Sequence, residues 1–313
     1  AETCASIALI FFCQRLLRGE QNGIYSDVME RALYNTCMAG MRLDQEAFFY
    51  VNPLSVQPEA SHKDPGKNHV MPVRPPWFGC ACCPPNLARL LSSIGAYQYA
   101  VAGDRVFVHL YIEGEASLPV NGNPVSLAMK TDYPFDGQVR ILPGPGDYTL
   151  MLRLPGWCEK YTVERNGKTA EATMENGYLA LPGHFAKEEE IVLRLEMPPH
   201  RVYAHPKVRE DVGKVAIMRG PLVYCLEEAD NGPELQCLFL KRDAALTPGF
   251  DPKKLGGAPV VLAEGIREVP TGDALYGGSP AWREDKAELT FIPYFMWANR
   301  GENEMEVWLR ERA

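Results

Sequence analysis

The sequence of 313 residues contains no apolar run long enough to cross a bilayer. Its strongest candidate, Ile7-Ala8-Leu9-Ile10-Phe11-Phe12, is too short and soon gives way to polar residues, so no membrane partner is expected. Neither an initiating methionine nor a positively charged leader opens the chain. It also lacks any long basic block, and a formal net charge of −8 opposes an extended phosphate-binding surface, which argues against a nucleic-acid partner. Repeats and low-complexity tracts are absent, and the scattered glycines lack the context of a nucleotide loop. Charged residues make up only 23%, against 46% hydrophobic and 10% aromatic, enough apolar material to offset the ordering of the chain. Nine cysteines are an odd number and a modest density for this length, so a disulfide framework is not expected. Their concentration around residue 82 points to reduced metal or catalytic chemistry and places the chain in the cytoplasm.

The length allows two or three folding units. Residues 1–102 carry most of the helical signal. Ala5 to Leu17 has apolar positions on several faces, as in a helix buried within a larger assembly, and Gly19 can end it. Tyr25 to Met38 predicts a second helix, with Val28, Ala32 and Leu33 on one side. Asn86 reads as the N-cap of a third, because Leu87, Leu90, Leu91 and Ile94 follow at helical spacing. Beyond Gly103 the pattern changes to short strands and Gly/Pro turns, which predicts a β-sandwich over 103–200 and a second β-rich unit over 201–313.

The chemistry concentrates in Gly79-Cys80-Ala81-Cys82-Cys83-Pro84-Pro85-Asn86. Cys80, Cys82 and Cys83 offer three thiolates to a zinc ion, and Cys4 can supply another from far away in sequence. Glu2 is an additional candidate ligand. Its separation from Cys4 is awkward within a helix, where positions two apart diverge, and easier if residues 1–4 are extended or start a helix. Buried thiols without a metal, or a disulfide, are the alternatives that spacing alone leaves open. His62 and His69 lie in a polar loop and the other histidines fall among strands, none with metal-ligand spacing.

Four segments occur in an order that resembles glycoside hydrolase family 127: Glu2-Thr3-Cys4, Tyr25-Ser26-Asp27-Val28-Met29-Glu30-Arg31-Ala32-Leu33-Tyr34-Asn35, Phe49-Tyr50-Val51-Asn52-Pro53 and Cys82-Cys83-Pro84-Pro85-Asn86. Pro293-Tyr294-Phe295-Met296-Trp297-Ala298-Asn299-Arg300 resembles a late β-domain segment of the same family. The resemblance implies a multidomain α+β chain: the C-terminal part of an (α/α)6 barrel followed by two β-sandwich-like domains. It implies a retaining, exo-acting β-L-arabinofuranosidase that takes a terminal sugar from an arabinose-containing oligosaccharide or glycoconjugate. Glu2, Cys4, Cys82 and Cys83 are implied to bind Zn2+, with Cys82 as the nucleophile, Cys83 mainly a metal ligand and Cys80 a nearby structural cysteine. Glu30 and Tyr50 are implied to lie near the substrate. Apart from the resemblance, Trp77 and Phe78 either shape the entrance or fill the core, and Trp77 is the candidate aromatic face for a sugar.

A thiolate nucleophile would attack the anomeric carbon, and water would release the sugar in a second displacement with retained configuration. The glutamate that serves the family as general acid and base corresponds to a position before Ala1. The resemblance therefore implies that these residues are the C-terminal portion of a larger enzyme whose missing N-terminal portion is a partner. The sequence does not set the oligomeric state, and a homo-oligomer is one option. Normal activity is not expected of this portion alone. The non-enzymatic reading is a zinc-stabilised carbohydrate-binding or structural fragment, and the closer enzymatic one a family glycosidase with another sugar specificity.

Overall fold

The computed structural model describes residues 2–312. The chain forms two compact units, one from the N-terminal residues through Thr3 with Met38–Cys83 and the chain from Pro198 onward, the other from Cys4–Cys37 and Pro84–Met197.

In the second of these units, strand alternation builds a sandwich. One sheet has five strands in the order Thr173–Glu175, Tyr178–Phe185, Gly146–Arg153, Arg105–Val108, Tyr99–Ala102. The other has six, in the order Gly114–Val120, Asn123–Thr131, Gln138–Pro143, Ile191–Leu195, Tyr161–Arg165, Lys168–Thr169. Val106, Leu150, Leu152, Leu179 and Leu181 project from the first sheet into the same core as Leu127, Val139, Ile141, Ile191 and Leu193 from the second. Burying each such side chain contributes about 1.5–3 kcal/mol before ordering costs. Phe107, Met151, Tyr178 and Ala180, one residue out of phase, form a separate cluster on the other face of the five-stranded sheet.

Helices flank this sandwich. Thr3–Gly19 buries Ile7, Ile10, Cys13 and Leu17 along one stripe and leaves Leu9 and Phe12 exposed on another. Asn22 then caps Gly23–Arg31 through its Oδ1, which accepts from the Ile24 N–H at 3.2 Å. A Cβ at Gly23 would lie 3.0 Å from the Gly177 carbonyl oxygen, so this close approach of helix to turn requires glycine. The helix continues through Ala32–Cys37 as a π-helix. Ser26 Oγ and the Tyr178 hydroxyl lie 3.1 Å apart, tying the helix to the sheet.

These helices do not make part of an (α/α)6 barrel, contrary to the expectation from the resemblance. The described residues are strand-rich, and helices do not succeed one another in antiparallel pairs: after Cys37 come irregular chain, the two-residue strand Ser55–Val56 and the single short helix Pro58–Lys63 before Cys83–Ser92 begins. The expected N-cap at Asn86 also moves. The helix starts at Cys83, and Pro84 and Pro85 occupy its first turn, where backbone N–H groups have no intrahelical partner and proline costs little.

The other unit is built on a strand barrel and not on two stacked sheets. Leu222–Glu227, Trp282–Pro293, Ala258–Pro270, Leu238–Lys241, Leu309–Arg312 and Lys214–Arg219 pair in that order, and the last pairs back to the first through Ile217↔Tyr224 and Met218↔Val223. Closure satisfies both edges of every strand. All these pairings are antiparallel except Leu238–Lys241 with Leu309–Arg312. In the same unit Arg74 is buried and donates to the carbonyls of Ala39 at 2.9 Å and Trp297 at 2.7 Å, its guanidinium 4.5 Å from the Phe49 ring centroid. No helix among the described residues is long and apolar enough to cross a membrane.

Candidate metal centre

Glu2 lies in an antiparallel bridge with Val51, and the helix Thr3–Gly19 starts immediately after it. Glu2 is therefore extended while Cys4 sits in the first helical turn, which removes the geometric objection to ligands two residues apart. Thr3, fully buried between them, fixes the segment. Its N–H donates to the Tyr50 carbonyl at 3.0 Å, its hydroxyl donates to the Phe49 carbonyl at 2.9 Å, and the Asn52 amide donates to that hydroxyl at 2.8 Å. On the later segment, the Cys82 N–H donates to the Cys80 carbonyl at 3.0 Å, turning the chain into the helix Cys83–Ser92.

One ligand atom from each of Glu2, Cys4, Cys82 and Cys83 can be chosen so that all lie within 4.8 Å of one another. Cys82 Sγ is 3.7 Å from Glu2 Oε1 and 3.8 Å from Cys83 Sγ. Tetrahedral zinc, with bonds of about 2.3 Å to sulfur and about 2.1 Å to oxygen, separates two sulfurs by about 3.8 Å and a sulfur from an oxygen by about 3.6 Å. The observed spacings match those of ligands around one ion, whereas a Cys82–Cys83 disulfide would require about 2.05 Å. Three thiolates and a carboxylate also suit a borderline-soft ion. The four side chains form a zinc-type metal site, and it is the only such cluster found among the described residues.

The surroundings of the cluster are asymmetric. Cys83 is completely buried, Cys82 is half-buried, and Cys80 is exposed and stands outside the ligand group. Asn86 Nδ2 donates to Cys4 Sγ at 3.1 Å. The charge of Glu2, followed by burial and the neighbouring Cys82 and Cys80, pushes the Tyr50 hydroxyl up to about 12, so Tyr50 stays neutral at ordinary pH. Its ring meets Phe78 edge-on with centroids 5.8 Å apart. Trp77 is 64% exposed.

Glu30, which the resemblance places near a sugar, is 1% exposed. One of its oxygens accepts from the Tyr133 hydroxyl and the Arg153 guanidinium, the other from Trp157 Nε1 at 3.1 Å and Arg153 Nη1 at 3.4 Å. Arg153 also pairs with Asp27 at 2.7 Å and donates to the His109 carbonyl at 2.7 Å. Burial, and then the Glu30 charge, raise Tyr133 far above its ordinary value, which keeps it a neutral donor. His109 is buried, and burial followed by the Arg153 charge lowers it to about 3, so it is neutral beside the Tyr178 hydroxyl 2.8 Å away. None of the six histidines joins the cluster.

The resemblance named the same four side chains that the structure brings together, with Cys80 outside the group, whereas spacing alone favoured four thiolates; neither pointed to Asn86 as a donor to sulfur or to Arg153 as the partner of Glu30. The only signal for Asn86 was its place in the Cys-Cys-Pro-Pro-Asn segment, where it reads equally well as a helix cap. Exchange of single ligands separates this set from a four-thiolate site. Cys80→Ala should retain one zinc per chain by atomic absorption after dialysis, while Glu2→Gln should weaken retention by at least about tenfold; the reverse ranking would refute the ligand set.

Comparison with known proteins covers nearly the whole chain. Residues 1–96 match a family model described as the β-L-arabinofuranosidase GH127 catalytic domain, 105–197 the GH127 middle domain, and 199–310 the glycoside hydrolase family 127 C-terminal domain. A non-reducing end β-L-arabinofuranosidase from Bifidobacterium longum subsp. longum is 37% identical over 99% of this chain and 49% of its own length. The crystal structure of a GH127 β-L-arabinofuranosidase from Geobacillus stearothermophilus is 47% identical with a TM-score of 0.95, over 100% of this chain and 50% of that one. A solved GH127 β-arabinofuranosidase is 35% identical with a TM-score of 0.89, over 99% of this chain and 49% of that one. The chain spans about half the length of the relatives it matches.

Proposed function

The chain belongs to glycoside hydrolase family 127, and on that premise we propose that it carries the cysteine nucleophile of a retaining β-L-arabinofuranosidase. The observation that carries this reading is the inequality within the vicinal pair: Cys83 is sealed in the protein, while Cys82 keeps access to solvent beside the same ligands. Cys83 is then suited to hold and Cys82 to react. Bound zinc would favour the deprotonated form of its cysteine ligands at neutral pH.

Cys82 Sγ attacks the anomeric carbon of a terminal β-L-arabinofuranosyl residue, the glycosidic bond breaks, and the leaving oxygen takes a proton. Water then attacks the same carbon, displaces Cys82 Sγ and gives up a proton to a base. Two inversions return the original anomer. We assign the proton donor and base to the upstream part of the parent protein. Two features support such a partner: the relatives are about twice as long, and the helix Thr3–Gly19 keeps Leu9 and Phe12 43% and 58% exposed. Tyr50, neutral and close enough to Glu2 and Cys82 to feel their charge, orients the sugar or the nucleophile, and Trp77 offers an aromatic face at the entrance.

The threefold division at 1–102, 103–200 and 201–313 is part of this proposal, supported by the limits of the three family matches. So is a cytoplasmic location, which suits buried thiols such as Cys13, Cys37 and Cys225.

The decisive experiment follows hydrolysis of a chromogenic β-L-arabinofuranoside by the complete parent protein with proton NMR. The first-formed product should be the β-anomer. First appearance of the α-anomer would overturn the covalent route, and turnover of a different glycoside in place of this one would reassign the sugar.

A further inference from the structure

The hydrogen bond from Asn86 to Cys4 has no role in the reaction proposed above. It is nevertheless built into the start of the helix that presents Cys83. Asn86 is the fourth residue of Cys83–Ser92, and Leu87 and Leu90, buried one and four positions later, fix the helix against the core. Its amide nitrogen stands 3.1 Å from Cys4 Sγ. A thiolate accepts hydrogen bonds and donates none, so the NH2 group is the end of the amide that must face it.

Electrostatics give this contact a purpose. One carboxylate and three thiolates around a divalent cation leave an excess of two negative charges. Hydrogen bonds from neutral donors are the usual way to stabilise such an excess. The N-terminus of a helix normally contributes several free N–H groups for this. Here Pro84 and Pro85 remove two of the donors that Cys83–Ser92 would otherwise present. The asparagine side chain restores a donor on the same turn. Neither this helix nor Thr3–Gly19 has an acidic residue in its first turn, so no carboxylate from those turns competes with the sulfurs.

We infer that Asn86 is a positioning residue of the metal centre: its amide orients Cys4 Sγ and offsets the charge of the ligand set. It is not itself a ligand. The inference rests on the metal site and not on the arabinofuranosidase reading, so the absence of hydrolysis would leave it standing.

Zinc affinity measured on the complete parent protein by competition with a chromogenic chelator tests it without any substrate. Asn86→Leu, which keeps the branched shape and removes the donor, should bind zinc about 10–100-fold more weakly. Asn86→Asp, the same shape with an acceptor charge facing sulfur, should be weaker still. With cobalt(II) in place of zinc, the thiolate-to-metal charge-transfer band of Asn86→Leu should shift from that of the parent. Thermal melting of the metal-free proteins identifies a purely structural role. If the variants melt lower without metal yet bind zinc within twofold of the parent, the inference fails. It fails equally if both variants match the parent in every reading. Should Asn86→Leu not fold, the isosteric Asn86→Asp carries the affinity comparison alone.

Discussion

Cys82→Ala in the complete parent enzyme should lower turnover of a β-L-arabinofuranoside by about 10⁴-fold or more, the order of loss seen when other covalent enzymes lose their nucleophile. No other group in the cluster can take over the attack: Cys83 Sγ lies 3.8 Å away but belongs to a completely buried residue, and Glu2 shares the ligand set. The same change leaves Glu2, Cys4 and Cys83, and three protein ligands are the number with which catalytic zinc sites retain their metal. The variant should therefore still take up close to one zinc per chain when zinc is supplied in excess, with affinity lowered as for Glu2→Gln, while the chemistry stops. Turnover equal to that of the parent would remove Cys82 from the mechanism. Loss of zinc along with turnover would leave its role purely structural.

Arg153→Met should destabilise its unit by about 3–5 kcal/mol, the range for breaking a buried ion pair from one side. The Arg153 guanidinium is completely buried and pairs with both Asp27 and Glu30. Its removal leaves Glu30, 1% exposed, with only Tyr133 and Trp157 to hold its charge, and takes a donor from the His109 carbonyl. Urea unfolding followed by circular dichroism would measure the loss. The double variant Arg153→Met/Glu30→Gln should recover part of it, because the stranded charge goes with its partner. A single-variant loss below about 1 kcal/mol would mean that water reaches Glu30 and the pair is not closed.

Glu30 shows where the sequence stops being legible. A carboxylate on an amphipathic helix can face a ligand, an interior cation or both, and the cation that pairs with Glu30 is 123 residues further along the chain. No local pattern connects the two. The metal ligands were legible for the opposite reason. Cysteine at such density has few uses, and the family order supplied Glu2. The sandwich was visible because its strands alternate in and out of one core, as in Leu150 and Leu152 against Met151. The barrel was not, since closure depends on pairings such as Phe239↔Arg310 and Ile217↔Tyr224 between strands whose own patterns say nothing about their neighbours. The helical barrel was an inheritance from the resemblance that the described residues do not bear out. Asn86 was misread because an asparagine after two prolines suits a cap, whereas proline in the first turn lets the helix begin earlier, at Cys83.

The placement of the ligands also bears on how the chain is held together. Glu2 and Cys82 are separated by 80 residues. Closing a loop of that length in an unfolded chain costs about 4–5 kcal/mol in entropy by the estimate used for covalent crosslinks. An ion shared by the two segments acts as a staple across everything between them, including the helix that carries Asp27 and Glu30 and the segment that carries Tyr50. During synthesis the first two ligands must wait for the last two, so the staple closes only after that whole stretch has been made. A bound ion would then add to whatever keeps the intervening chain closed to proteases, by an amount set by the length of the loop it closes.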